Sequence, residues 1–275
     1  MNNKALKEKS ILYRELTLEI ITAANAGHTG GDLSCIDILN VLYNRIMNIA
    51  PDRLNDPDRD RYVQSKGHAA EALYAVLTER GFMPKEWALQ VGKYLSPVTG
   101  HPTRNVPGVE QNTGALGHGL PVAVGMAVAG KLDGKSYRVF CLMGDGELAE
   151  GSIWEASMAA GNYKLDNLIA IVDRNGLQIS GGTEEVMSLE PLQAKFEAFG
   201  FSVSEVDGND LEALTTVLQS VPFERGKPSL ILAKTIKGKG ISYMENQANW
   251  HHKVPSVDQL HTAHEELQAE REALA

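Results

Sequence analysis

Cysteine is scarce in this 275-residue chain: Cys35 and Cys141 are the only two, far apart in sequence. They do not make the disulfide framework of a small secreted domain, so a reducing compartment is expected. Basic charge is also short, with 26 Lys and Arg against 35 Asp and Glu and a net charge of −9. That balance argues against a protein that coats nucleic acid or an anionic membrane, and any anion it binds must be held locally. Long apolar runs are missing. The longest glycine-containing one, Leu120 to Gly130, stops at Lys131, well short of the ~20 residues that span a bilayer. Met1 to Ser10 carries charge without an apolar stretch, so no signal peptide is expected and the cytoplasm follows by elimination.

Two nucleotide motifs are absent as well. Gly134-Lys135-Ser136 looks like the end of a P-loop, but Gly130 lies one residue too close and the segment precedes a strand. No G-x-G-x-x-G follows a strand, because Gly114, Gly117 and Gly119 run in the reverse spacing, which disfavours a nicotinamide enzyme.

What remains is an ordinary soluble composition, 43% hydrophobic and 22% charged, in a length suited to one large α/β domain. Apolar residues at Ile11, Leu12, Leu16, Ile20 and Ile21 predict a helix over Ser10–Ala26, ended by Gly27. The same spacing recurs at Ile36–Leu42, Leu73–Leu77 and Leu120–Ala129. Short apolar runs predict strands at Tyr137–Met143, Leu168–Asp173, Phe201–Val206 and Ser229–Lys234. Alternation of strand and helix implies an α/β fold, a parallel sheet with helices on both faces. No linker divides the chain, so residues 1–275 are expected to form a single domain. Its helical tail, about 256–275, is capped by Ser256 with Gln259 three residues on.

The 26 glycines are a modest excess, clustered beside His or Asp in Gly27-His-Thr-Gly-Gly-Asp32, Gly114-Ala-Leu-Gly-His-Gly119 and Gly144-Asp-Gly146. In parallel sheets ligands sit at the carboxyl ends of strands. Gly144-Asp145-Gly146 follows one predicted strand, and Asn175, thirty positions later, follows the next. With the Leu177 carbonyl they offer three hard oxygens, a donor set that suits Mg²⁺ bound to a diphosphate, with Ca²⁺ or Mn²⁺ as substitutes. Either piece alone would read as a common βα turn. The pair at this spacing favours the metal.

The Gly-Asp-Gly…Asn pair resembles the thiamine-diphosphate motif of the transketolase family. Further segments are similar to that family in the same order: Gly27-His28-Thr-Gly-Gly, Ser65-Lys-Gly-His68-Ala, Gly100-His101-Pro, Pro107-Gly-Val-Glu-Gln-Asn-Thr-Gly114-Ala-Leu-Gly117 and Gly144-Asp-Gly-Glu-Leu-Ala-Glu150-Gly-Ser-Ile-Trp-Glu155-Ala. Trp250-His251-His252-Lys resembles its WHGK segment, placing the family histidine on His251, with His252 as the other choice.

The resemblance implies the thiamine-diphosphate-binding fold and a transferase that moves a two-carbon ketol unit from a ketose phosphate to an aldose. It implies thiamine diphosphate as the electron sink. Asp145, Asn175 and the Leu177 carbonyl would hold the metal, Gly144 and Gly146 would lie near the diphosphate, and Gly114 and Leu116 beside the aminopyrimidine. His28, His68, His101 and His251 would line the reaction channel, His68 also touching the cofactor. Glu150 and Glu155 would face a subunit interface. The family's activating glutamate and most phosphate-gripping basic residues lie in a pyrimidine-binding domain not found in this sequence. The implied partner is therefore a C-terminal transketolase subunit carrying that domain, in an α2β2 assembly, with sugar phosphates as substrates. Two other readings stand beside this one. One is a subunit of another thiamine-diphosphate enzyme, deoxyxylulose-phosphate synthase-like or dehydrogenase E1-like, which the GHP and PGVE segments disfavour. The other is a non-catalytic binding subunit.

Overall fold

A computed structural model describes residues 2–274. The first helix, α1 (Asn3–Ala24), starts well before the expected Ser10, because Asn2 caps it by accepting the Ala5 N–H at 2.8 Å and Leu6 is buried among charged neighbours. It ends at Asn25, which takes the left-handed conformation (φ 51°), so Gly27 is not its terminator. There follow α2 (Thr29–Val41), β1 (Arg61–Gln64), α3 (Ala70–Glu79), the single turn α4 (Lys85–Ala88), α5 (Gly119–Leu132), β2 (Val139–Gly144), α6 (Gly151–Asn162) and β3 (Leu168–Arg174). A two-residue antiparallel ribbon, β4 (Leu177–Gln178) with β5 (Gly181–Gly182), leads through α7 (Thr183–Val186) and α8 (Leu192–Ala198) to β6 (Ser202–Asp207). The chain then forms α9 (Leu211–Gln219), β7 (Ser229–Lys234) and α10 (Val257–Glu272).

Five strands make a parallel sheet in the order β1-β2-β3-β7-β6. Strand β1 was not expected from the sequence: four residues with a polar residue at each end carry too little apolar signal. The other four lie within two residues of their predicted bounds.

Side chains alternate across the sheet. Phe140, Leu142, Ile169, Ile171 and Ile231 pack under α1, α2, α3 and α9, whereas Val139, Cys141, Met143, Ala170 and Leu230 pack under α5, α6 and α8. Helices therefore cover both faces, as predicted. Helix α10 carries the predicted capping box, with both Ser256 and Gln259 bonds formed, and docks Ala263 and Leu267 on the outer side of α1 near Ile11 and Leu18. Among the described residues no helix is long and apolar enough to cross a membrane.

Because every strand of the sheet points the same way, the loops leaving β1, β2, β3 and β7 emerge at one edge. In register, Gly144 at the end of β2 lies beside Asp173 of β3, which lies beside Ala233 of β7.

Candidate active site

A cleft of about 440 Å³ opens at that edge. Its wall includes the candidate catalytic, cofactor and metal residues expected from the sequence: His28, His68, His101, Gly114, Leu116, Gly144, Asp145, Gly146, Asn175, Leu177 and His251. The loop after β1 supplies His68, that after β2 supplies Asp145, that after β3 supplies Asn175, and Leu177 opens β4. His28 precedes α2, and Gly114 and Leu116 precede α5. His252 does not line the cleft. It is exposed, its ring 4.6 Å from that of His28.

The four cleft histidines form one cluster. The His28 ring centroid is 5.1 Å from His68, 6.3 Å from His101 and 5.6 Å from His251, and His68 stacks on His251 at 5.4 Å. Burial disfavours their charged forms, and neighbouring cations add to this for three of them. His28 is pushed down to about 4 and His251 to about 3, His68 is held well below its ordinary value, and His101 is lowered by burial alone. All four rings are therefore neutral near pH 7.

Two lysines in the cleft wall were not singled out from the sequence. Lys66, 1% exposed, spends its three protons on Gly31 O at 2.7 Å, Ser34 Oγ at 3.4 Å and the Asp173 carboxylate. Burial opposes its charge, but Asp173 outweighs burial and holds the ammonium above its ordinary value. Lys237, also 1% exposed, donates to the Leu177 carbonyl at 3.3 Å and stands 3.1 Å from His251 Nδ1. Burial, then the Lys66 charge, pushes it down to about 8. An ammonium has only donors, so His251 Nδ1 accepts and the ring proton sits on Nε2. The signal that would have found both lysines is their place in the glycine-rich segments Ser65-Lys66-Gly67 and Lys237-Gly238-Lys239-Gly240.

Glu147 is a third missed residue. Its buried carboxylate accepts Gly117 N–H at 2.8 Å, Gly144 N–H at 3.0 Å and the Ser65 hydroxyl. One side chain thus ties together the loops that end in His68, Leu116 and Asp145. Gly117 has φ +80°, and a Cβ there would stand 2.5 Å from that of Glu150, so this crossing needs glycine. Glu150 itself is the exposed N-cap of α6 and lines the cleft mouth, while Glu155 is exposed on that helix.

Asp145 is 2% exposed. Its Oδ1 accepts Gly146 N–H at 2.8 Å, and its Oδ2 accepts Gly176 N–H at 2.6 Å and Arg174 Nη1 at 3.2 Å. Burial, then the nearby Asp173 charge, raises it above the usual carboxylate range. The donor set here is all oxygen: one carboxylate, the Asn175 amide and the Leu177 carbonyl. This fits a hard divalent ion.

Residues 7–273 match the family described as transketolase, thiamine diphosphate binding domain. The chain belongs to the transketolase family. Its relatives include an apulose-4-phosphate transketolase subunit from Phocaeicola vulgatus, 50% identical over all of this chain and 98% of the relative. Another is a 6-deoxy-6-sulfo-D-fructose transketolase subunit of a Clostridium strain, 40% identical over 96% of this chain and 97% of the relative. The fold superposes on the crystal structure of transketolase from Campylobacter jejuni with a TM-score of 0.90 at 33% identity, covering all of this chain and 46% of that one. The chain thus spans just under half of a long-form transketolase. Ketol transfer with thiamine diphosphate is the general function of transketolases, and this fold is their diphosphate-binding part.

Proposed function

We propose that this chain is the diphosphate-binding subunit of a two-chain transketolase, moving a two-carbon ketol unit from a ketose phosphate to an aldose. The single observation that carries this is the convergence in one cleft of Asp145, Asn175 and Leu177 with four neutral histidines. The naming of relatives that match this chain almost end to end as subunits supports a second polypeptide as partner. The more similar of them names apulose 4-phosphate, which makes that sugar the first donor to try.

Asp145, Asn175 and the Leu177 carbonyl would hold Mg²⁺, and the metal would supply the charge that lets an acidic chain bind a diphosphate. Thiamine diphosphate supplies the electron sink for carbon–carbon cleavage. The remaining chemistry is proton handling and orientation by this chain's side chains. His251, with Nδ1 taken by Lys237, presents Nε2–H as a donor toward a substrate oxygen. His28, His68 and His101, neutral and close together, can each accept or donate a proton near neutral pH. Such preplaced donors stabilise negative charge as it develops on a carbonyl oxygen. Glu147 keeps three of the loops in place while this occurs.

Ligand-induced stabilisation tests the binding half of this reading. Millimolar thiamine diphosphate with Mg²⁺ should raise the thermal midpoint of the purified chain, and chelation of the metal should remove the rise. A midpoint that cofactor and metal leave unmoved would contradict it.

A further inference from the structure

Helix α2 begins immediately after His28 and α3 two residues after His68, and neither has a side-chain cap of its own: the cap positions are His28 and Ala69. The first turn of α3 is capped from the neighbouring helix instead. Asp32 of α2 places Oδ1 2.9 Å from the Ala72 N–H of α3, while the Asp32 N–H bonds the His28 carbonyl at 2.9 Å. Asp32 thus joins the helix that follows His28, through its N–H, to the first turn of the helix that follows His68, through its carboxyl.

The second oxygen of Asp32 has no such explanation. Asp32 Oδ2 and Glu71 Oε2 are both buried, with no donor to satisfy either one while both acids are ionised. Yet the two carboxyls face each other at hydrogen-bonding range, in residues 0% and 2% exposed. Two carboxylates cannot hydrogen-bond, and like charges held that close in a buried place do not both persist.

We propose that Asp32 and Glu71 hold one proton between them, donated from Glu71 to Asp32 Oδ2, and that this bond fixes the spacing of His28 and His68. The surroundings choose the donor. The Ala72 N–H and the Lys66 ammonium favour the anion on Asp32, with Lys237 also within electrostatic reach. Glu71 faces the charge of Asp32 without a cation of its own. The other titratable groups facing the pair are the Cys35 thiol and the Tyr74 hydroxyl, both raised by burial and neutral across the working range. Burial lifts both acids, and the Asp32 charge lifts Glu71 further.

The sign of the pH dependence follows. In the unfolded chain both acids ionise near their ordinary values, so above about pH 4.5 the folded state holds at least one more proton than the unfolded state. The stability this proton supplies is lost as pH rises toward the folded value. The slope corresponds to about a tenfold drop in the folding constant per pH unit. Glu71→Gln keeps a donor to Asp32 Oδ2 and does not titrate. Glu71→Ala removes the donor.

The test uses the full chain and needs neither cofactor nor transfer, so it separates from the functional reading, on which only the bearing of His28 and His68 on catalysis rests. Infrared spectra at pH 7.5 should show a protonated carboxylic acid band in the wild type that is missing in Glu71→Gln. Denaturant unfolding from pH 6 to 9 should show the wild type losing stability relative to Glu71→Gln by up to tenfold per unit. The imidazole NMR signals of His28 and His68 should move together in Glu71→Ala and stay in place in Glu71→Gln. Absence of the acid band, or parallel pH slopes, overturns the shared proton. Histidine signals unmoved in a folded Glu71→Ala, or moved equally in both variants, overturn the positioning.

Discussion

Asp145→Ala is expected to abolish Mg²⁺-dependent binding of thiamine diphosphate while leaving a folded chain. Asp145 is the only carboxylate of the three proposed metal donors, and Asn175 and Leu177 would be left with neutral oxygens. Loss of an outer-shell partner of a metal ligand commonly costs ~10–100-fold in affinity, so loss of the charged donor itself should cost at least about 100-fold. Of the groups it releases, Gly146 N–H borders the open cleft and Arg174 keeps its pairs with Glu184 and Glu190, so the fold should survive. Titration calorimetry with cofactor and Mg²⁺ reads the affinity, and circular dichroism reads the fold. Unchanged affinity in a folded Asp145→Ala would remove the metal assignment.

Lys66→Met should strike stability. The Lys66–Asp173 pair is buried, with side chains 2% and 0% exposed. Removing the cation leaves Asp173 with only neutral partners in the Ser34 and Thr235 hydroxyls. Breaking a buried pair from one side typically costs ~3–5 kcal/mol because a charge stays behind. In a chain of this size that is on the order of 10 °C in thermal midpoint. The double variant Lys66→Met/Asp173→Asn removes the stranded charge and should recover most of the loss. Equal midpoints for the single and double variants would show that the charge of Asp173 is not what Lys66 holds in place.

These two residues show what the sequence makes legible. Asp145 and Asn175 stand out because each follows an uninterrupted apolar strand, β2 or β3, and parallel pairing brings such strand ends together. The tail helix was readable from a local rule, the Ser256–Gln259 cap. Lys66 carried no local mark beyond the glycine beside it: lysine is rarely buried, so its default reading is a solvated side chain, and only the approach of β1 to β3 across β2 supplies its partner. Asp32 and Glu71 sit in the first turns of α2 and α3, a common and favourable placement for acids, and Glu147 lies in the loop between β2 and α6. Their partners come from other elements. The start of α1 was missed because Lys4, Lys7, Glu8 and Lys9 surround one apolar anchor, Leu6, in its first turns, and β1 because it is short and lies at the sheet edge. Signals carried by one segment were readable, and those created by tertiary pairing were not.

The central claim is that this chain supplies the diphosphate-binding half of a ketol-transfer site and a second polypeptide supplies the rest. The most direct test is a transfer assay with thiamine diphosphate, Mg²⁺, apulose 4-phosphate and an aldose phosphate acceptor. It is run on the purified chain alone and then with a C-terminal transketolase subunit that carries the pyrimidine-binding domain. Transfer is expected only when both chains are present. Transfer by the purified chain alone would contradict the account.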